Sequence, residues 1–456
     1  MNTFQHKKIG IWGFGIVGQS ALTYFDTLSV ESIEILDAKK IILPPTKNIA
    51  FTTEQNDASI IHFLERNDFI LTSPGIKLHA YNTYNHKFIN ELDIFANHKL
   101  VPTIAITGTV GKTSITHLLT KIIQNIFPHA QAAGNIGYPL LNFVTYQDRQ
   151  CNFLVIELSS FQLQFIKQFA PDLAIITNFF SNHLDHHQTI DEYFQAKCNI
   201  LRYQTDKDQA LLPMELAEKI EQVIPRKLSW AFFSTQRPDN DIVEKYAGNT
   251  IFYADEKKIY SIHNTMHTQI FDTTHLPAIT YDANWLIIVA ACAMLNIPLA
   301  NILDVSKNMD VPDYRLQKVG SYKEIHFYND SKSTVWQATL QATQALEKLP
   351  IKLFVGGLSK GADRRPLFEK LQNKNVQIYA FGKEAQIINQ LCLNFKISCQ
   401  AYQTLDAAWN GCISSIISPC NVLFSPGGSS FDLFIDYQDR GKYFTKLVMQ
   451  YLDSKN

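Results

Sequence analysis

The stretch Thr103-Ile104-Ala105-Ile106-Thr107-Gly108-Thr109-Val110-Gly111-Lys112-Thr113-Ser114 decides how the chain is to be read. Its first five residues predict a strand, and the apolar spacing over 115–126 predicts a helix. Between them lies a glycine-bracketed turn that ends in Gly-Lys-Thr, with Ile106 where the strict eight-residue phosphate-loop pattern has a glycine. Backbone N–H groups in such a loop cradle phosphates, a lysine at position 112 neutralises β and γ oxygens, and the Thr113 hydroxyl reaches Mg²⁺. A turn that served packing alone would leave Lys112 without a purpose. The stretch therefore predicts ATP on Gly108, Thr109, Gly111, Lys112, Thr113 and Ser114.

Outward from this loop, short apolar runs bounded by Gly, Pro, Asn or Asp recur at 8–12, 32–36, 69–72, 153–157, 173–177, 352–355, 377–381 and 421–424, alternating with helical patterns. That alternation predicts an α/β protein with mostly parallel sheets. A second glycine-rich strand-to-helix turn, at Gly13, opens its own run of elements. Polar Asn97-His98-Lys99 and the turn Val311-Pro312-Asp313 suggest boundaries, giving domains at 1–98, 99–312 and 313–456. The first reads as Rossmann-like, the second as P-loop ATPase-like and the third as Rossmann-like again. A hairpin is expected over 318–328, and 225–275 reads as a turn-rich insertion of β character.

Composition narrows the function. The 456 residues are 46% hydrophobic, enough for about three domains at roughly 150 residues each. With 41 basic against 42 acidic side chains and no long basic run, no nucleic-acid partner is expected. Seven cysteines without a CxxC pair argue against a disulfide framework or a zinc ribbon and favour a reducing compartment. The longest apolar run, 285–295, is too short to span a bilayer, and no secretion signal opens the chain. A soluble, cytoplasmic, monomeric protein is expected.

Further motifs carry chemistry. Gly13-Phe14-Gly15-Ile16-Val17-Gly18 follows a strand, and Asp37 ends the next one. Bare backbone there admits a diphosphate to a helix N-terminus while the acid reaches ribose or uracil groups; the alternative is a tight turn that only packs helix on strand. Glu157 ends the strand at 153–157, in place to ligate Mg²⁺. The stretch Asn178-Phe179-Phe180-Ser181-Asn182-His183-Leu184-Asp185-His186-His187 invites a zinc reading. It lacks a thiolate or carboxylate at motif spacing, so surface histidines with one Mg²⁺ ligand among them is preferred. Three polar loops, starting at Asn329, Gly356 and Ser425, follow strands of the third domain. With Lys332 and Lys360 they suggest an anionic substrate.

In order and spacing these motifs, together with Thr72-Ser73-Pro74-Gly75-Ile76, Gly134-Asn135-Ile136-Gly137, Glu157-Leu158-Ser159-Ser160-Phe161-Gln162, Lys197 and Ser430-Phe431-Asp432 with Arg440-Gly441, resemble the Mur ligases. The resemblance runs the length of the chain. It is strongest to the branch that adds D-glutamate to UDP-N-acetylmuramoyl-L-alanine through an acyl phosphate in peptidoglycan precursor synthesis. It implies that the first domain binds the UDP substrate through Gly15, Ile16, Val17, Asp37, Ser73, Pro74 and Gly75, with Asn135, Ser159, Gln162 and His183 lining the route to the reacting carboxylate. It implies ATP on the central loop, with Asn284, Arg315, Asp330 and Lys332 around it, and Mg²⁺ served by Thr113, Glu157, His183 and a carbamylated Lys197. The catalytic set would be Lys112, Glu157, His183, Lys197 and Lys332. D-glutamate would be read in the third domain by Thr334, Lys360, Ser430, Phe431 and Tyr437.

Five positions depart from the family pattern: Val110 and Val335 where Asn is usual, Asn182 where Asp is usual, Tyr314 where His is usual, and Tyr281 in place of the Asn of HNxxN. None removes a charged catalytic group, so they bear on rate more than on reaction type. Four other readings compete: a sister ligase using another amino acid, including L-glutamate; a folylpolyglutamate-type synthase, which the N-terminal GxGxxG domain disfavours; a non-catalytic nucleotide-binding homologue; and a dinucleotide-dependent oxidoreductase. The last leaves the Gly-Lys-Thr loop idle.

Overall fold

The computed structural model describes residues 3–39, 49–52, 56–99, 101–145, 150–181, 186–226, 229–277, 280–307, 309 and 312–455. Asn182 and His183 lie outside them. Three sheets follow one another along the chain. The first is wholly parallel, with Ile49–Thr52, Ser32–Leu36, Lys8–Trp12, Phe69–Thr72 and Phe88–Ile89 side by side in that order. Lys8–Trp12 is central, with its crossovers going to opposite sides, so the glycine-rich turn after it opens into the crevice where such sheets bind ligands.

The second sheet orders Met266–Asp272, Lys258–His263, Thr250–Asp255, Ser229–Ser234, Gln209–Pro213, Leu173–Ile176, Thr103–Thr107, Phe153–Glu157 and Ala130–Gly134. Its last three strands in sequence form an antiparallel meander, which is the β character expected over 225–275. A short helix, Asn240–Lys245, interrupts that segment and was not expected. All five residues of Thr103–Thr107 are buried, as a strand covered on both faces requires. The strand lies between Leu173–Ile176 and Phe153–Glu157, so the ends of three strands converge on one crevice.

The helix Lys112–Gln124 leaves that crevice and buries Ile115, Leu118, Leu119, Ile122 and Ile123, one apolar stripe at helical spacing. It starts three residues before its first apolar position because Gly111, with φ of 91°, turns the chain into it. The third sheet runs Gln317–Tyr322, Ile325–Asn329, Cys420–Phe424, Ile351–Gly356, Val376–Phe381 and Cys399–Tyr402. Its first pair is the expected antiparallel hairpin. Because Ile325–Asn329, Cys420–Phe424 and Ile351–Gly356 are adjacent and parallel, the three polar loops that follow them emerge next to each other.

Candidate phosphate-loop site between the second and third sheets

The loop at 108–114 is shaped by close approach. A Cβ on Gly108, whose φ is 141°, would lie 2.0 Å from Thr177 Oγ1, and one on Gly111 would lie 2.6 Å from Asn284 Oδ1. Only glycine fits either position. Asn284 is in turn fixed by donating to Thr280 Oγ1 at 2.7 Å.

Lys112 curls back over the loop and donates to the Gly108 and Thr109 carbonyls at 2.8 and 3.0 Å. Its pKa is lowered to about 8, first by burial and then by the charges of Arg315 and Lys332, against an opposing pull from Glu157. Lys332 is likewise lowered to about 8 by burial and Arg315, and its ammonium lies 4.7 Å from the centroid of the Tyr437 ring. Lys197 is 2% exposed, donates to the Gly108 carbonyl at 2.7 Å and sits 4.5 Å from the Tyr193 ring centroid. Burial, reinforced by Lys112, drives its pKa well below the ordinary lysine value.

Glu157 answers these cations. Burial raises its pKa, but Lys112, Arg315 and a hydrogen bond from Asn135 Nδ2 at 2.8 Å outweigh it and hold the carboxyl below its ordinary value. Its second oxygen, Oε2, is buried and has no hydrogen-bond partner among the described residues. A hard, ionised oxygen left unpaired near the Thr113 hydroxyl is the donor type that Mg²⁺ takes, so these two residues fit that ion. A cation faces Thr113: Arg315, from the segment entering the third sheet, donates through Nη2 to Thr113 Oγ1 at 2.6 Å. The backbone on either side of Arg315 is left-handed, with φ of 62° at Tyr314 and 49° at Leu316.

Several residues expected to face ligands are engaged within the chain. Asn135 holds Glu157. Ser159 and Gln162 form a capping box, with Ser159 N–H donating to Gln162 Oε1 at 3.0 Å, and Gln162 Nε2 donates to Glu91 Oε1 at 3.3 Å across to the first sheet's unit. The pattern Ser-x-x-Gln just before a helix signals that box in the sequence. Asp330 is buried, accepts from Leu316 N–H and the Ser425 hydroxyl, and is pushed up to about 7 by burial. It braces the loops of the third sheet from beneath.

In the first sheet's crevice, Asp37 Oδ2 accepts from the Phe14 N–H at 2.6 Å, and the Ser73 hydroxyl donates to the Gly13 carbonyl at 3.0 Å. The two expected loops are thus tied together. A Cβ at Gly15 or Gly75 would meet nothing within 4 Å, and Ile16 is exposed, so this face is open to a ligand. Val17, Ser73 and Pro74 share a cleft with Glu91, Phe161 and Gln162.

On the third sheet, Lys360 and Phe431 are exposed and adjacent, 5.5 Å from ammonium to ring centroid, while Ser430 is buried and Thr334 exposed. Two arginines shape this edge. Arg440, with no exposed surface, donates to the Ser331 and Gly428 carbonyls, and Arg364 donates to those of Gly356 and Gly357. Their chemistry is backbone support. Arg440 belongs to the Arg440-Gly441 motif of the resemblance, whereas nothing local in the sequence distinguishes Arg364 from a surface arginine.

A Gly-Lys-Thr loop at the switch point of one sheet, with an ionised acid at its rim and a cationic segment of a second sheet laid against it, is the arrangement of an α/β phosphate-loop protein. Residues 106–292 match the Mur ligase middle domain. The chain is 30% identical to the UDP-N-acetylmuramoylalanine–D-glutamate ligase of Staphylococcus saprophyticus, over 86% of its own length and 85% of that protein. It is 29% identical to the protein of the same name from Acidobacterium capsulatum, over 97% and 96% respectively. The chain belongs to the Mur ligase family. Among solved structures it shares its fold with a MurF ligase from Thermotoga maritima in complex with ADP, at 13% identity and a TM-score of 0.58, over 100% of this chain and 97% of that one. A UDP-N-acetylmuramate-alanine ligase from the same organism gives 15% identity and a TM-score of 0.55, over 98% and 100%. Among the described residues no helix is long and apolar enough to cross a membrane.

Proposed function

We propose that the protein is an ATP-dependent ligase joining the amine of D-glutamate to the L-alanyl carboxylate of UDP-N-acetylmuramoyl-L-alanine, a step of peptidoglycan precursor synthesis. The observation that carries the reading is the reach of Arg315, from the third sheet's unit, onto Thr113 of the phosphate loop. A nucleotide on the loop and an amino acid on the third sheet's edge would then share one enclosure. The full-length similarity to ligases of that name supports the choice of substrates.

The substrate carboxylate attacks the γ-phosphorus of ATP, the bond to the β-phosphate oxygen breaks, and ADP leaves. The amine of D-glutamate then attacks the acyl carbon of the resulting acyl phosphate, inorganic phosphate leaves, and the nitrogen gives up a proton. Phosphoryl transfer needs mainly positioning and charge neutralisation. Lys112 and Lys332, whose pKa values burial lowers to about 8, would stabilise the charge that develops on the transferred group. Thr113, Glu157, His183 and a carbamylated Lys197 would hold Mg²⁺, which would supply further charge neutralisation when bound. Division of the chain at 98 and 312 gives each ligand a unit: Gly15, Ile16, Val17, Asp37, Ser73, Pro74 and Gly75 for UDP, the central loop with Asn284 for ATP, and Thr334, Lys360, Ser430, Phe431 and Tyr437 for D-glutamate.

Phosphate release in the presence of ATP, Mg²⁺ and UDP-N-acetylmuramoyl-L-alanine, screened over amino acids of both configurations, tests this. D-glutamate alone should give turnover. Release with L-glutamate or another amino acid in its place would reassign the substrate. NAD binding without UDP-substrate binding would overturn the reading of the first unit.

A further inference from the structure

We infer that Asn178 sets the register in which a polyphosphate sits on the 108–114 loop. The inference rests on the reading of that loop as the ATP site. Asn178 follows the strand Leu173–Ile176 by two residues, and its carboxamide faces the loop from the neighbouring strand end. Its Oδ1 accepts from the N–H groups of Thr109 at 3.2 Å, which the Asn178 main-chain carbonyl shares at 3.3 Å, and of Val110 at 2.9 Å, and its Nδ2 donates to the Val110 carbonyl at 2.9 Å. The Thr177 hydroxyl donates to the same carbonyl at 2.7 Å. A single side chain thus engages both the N–H and the C=O of Val110, while the Val110 side chain is buried and offers no polar group of its own.

A phosphate-binding loop works by aiming successive backbone N–H groups at one set of oxygens. Asn178 takes the N–H groups of 109 and 110 out of that set. Those that remain begin at Gly111 and continue into the first turn of Lys112–Gln124, whose leading N–H groups have no partner within the helix. The anion is thereby directed to 111–114, beside Lys112 and the Thr113 hydroxyl, instead of to the mouth of the loop. The Thr109 side chain is excluded from competition as well. Its hydroxyl donates to the Phe180 carbonyl at 3.2 Å, accepts from the Phe180 N–H at 3.0 Å and lies 3.1 Å from the Tyr193 hydroxyl. Asn178 is on this account a positioning residue, acting through the loop backbone.

The test is calorimetric titration of the full chain with ATP, ADP, AMP and UDP-N-acetylmuramoyl-L-alanine, for wild type, Asn178→Ala and Asn178→Asp. Loss of these hydrogen bonds should weaken ADP and ATP by roughly tenfold or more. The preference for ADP over AMP should shrink by the same factor, and UDP-substrate affinity should stay within about twofold. Asn178→Asp keeps the acceptor but turns the donor into a second oxygen against the Val110 carbonyl, so it should show the same split and carries the test if the alanine variant does not fold. Nucleotide affinities equal to wild type, or nucleotide and UDP-substrate affinities falling together, would overturn the inference. A wild-type chain that binds no ADP would instead overturn the reading of the loop.

Discussion

The ammonium groups of Lys112 and Lys197 donate to one acceptor, the Gly108 carbonyl, at 2.8 and 2.7 Å. Two cations on one oxygen in a buried crevice repel each other, and burial already favours the neutral amine at 197. A neutral amine can take up CO₂, and the carbamate that results would turn the repulsion into attraction. Lys197→Ala is therefore expected to abolish ligation while leaving calorimetric binding of the UDP substrate nearly intact. Acetate or formate should restore part of the rate by entering the vacated anion site. Full activity in the unsupplemented variant would rule out this role.

The Arg315 to Thr113 hydrogen bond joins the second and third sheets' units through a charged donor. Bonds of that kind contribute about 1.5–3 kcal/mol, a ten- to hundredfold effect. Arg315→Ala should accordingly raise the KM for ATP by that factor and leave the KM for the UDP substrate unchanged. Steady-state kinetics with each substrate varied in turn decides it, and equal effects on both would place Arg315 elsewhere in the reaction.

Much of this arrangement is legible in the chain, for a physical reason. Buried parallel strands must be short unbroken apolar runs, so Lys8–Trp12, Thr103–Thr107 and Phe153–Glu157 fall where the composition puts them. The Gly-Lys-Thr loop is legible because close contacts at Gly108 and Gly111 leave no choice of residue. Partners brought together by tertiary folding are not legible. Asn178 looks like any turn residue after a strand, Arg364 like a surface arginine, and the Ser-x-x-Gln spacing that marks Gln162 as a cap says nothing of its reach to Glu91. The helix at 112 was read as starting at Ile115 because the periodicity begins there, whereas the backbone turn at Gly111 begins it.

At the third sheet's edge, Lys360 is exposed beside Phe431, with Ser430 at the base of the same loop. A lysine and hydroxyls suit the two carboxylates of glutamate. Lys360→Ala should raise the KM for D-glutamate about ten- to a hundredfold, the worth of one hydrogen bond to a charged group. The KM for ATP should move little. A larger effect on ATP than on D-glutamate would contradict the assignment.

Glu91 opens the helix Glu91–Ala96, a position where the helix dipole favours an acid even at a solvated surface. The fold buries it instead, where it accepts from Gln162 Nε2 at 3.3 Å and from the Leu140 N–H at 3.2 Å, so it ties the first sheet's unit to the second. Burial pushes its pKa up to about 7, and the two hydrogen bonds recover only part of the shift. The folded chain thus holds a proton on Glu91 between about 4.5 and 7 that the unfolded chain has lost. Stability linked to this group is complete below the unfolded value and is lost as pH rises through the folded one. The loss is on the order of 3 kcal/mol for a shift of this size. Glu91→Gln removes the titration while keeping a carbonyl acceptor, so its melting temperature should fall less than that of the wild type between pH 5 and pH 8. Asp330, also pushed up to about 7 by burial, is common to both proteins, so the difference between them isolates Glu91. Scanning calorimetry across that range should show the variant gaining on the wild type as pH rises. A difference that stays constant from pH 5 to pH 8 would mean that the joint between the two units is not proton-linked through Glu91.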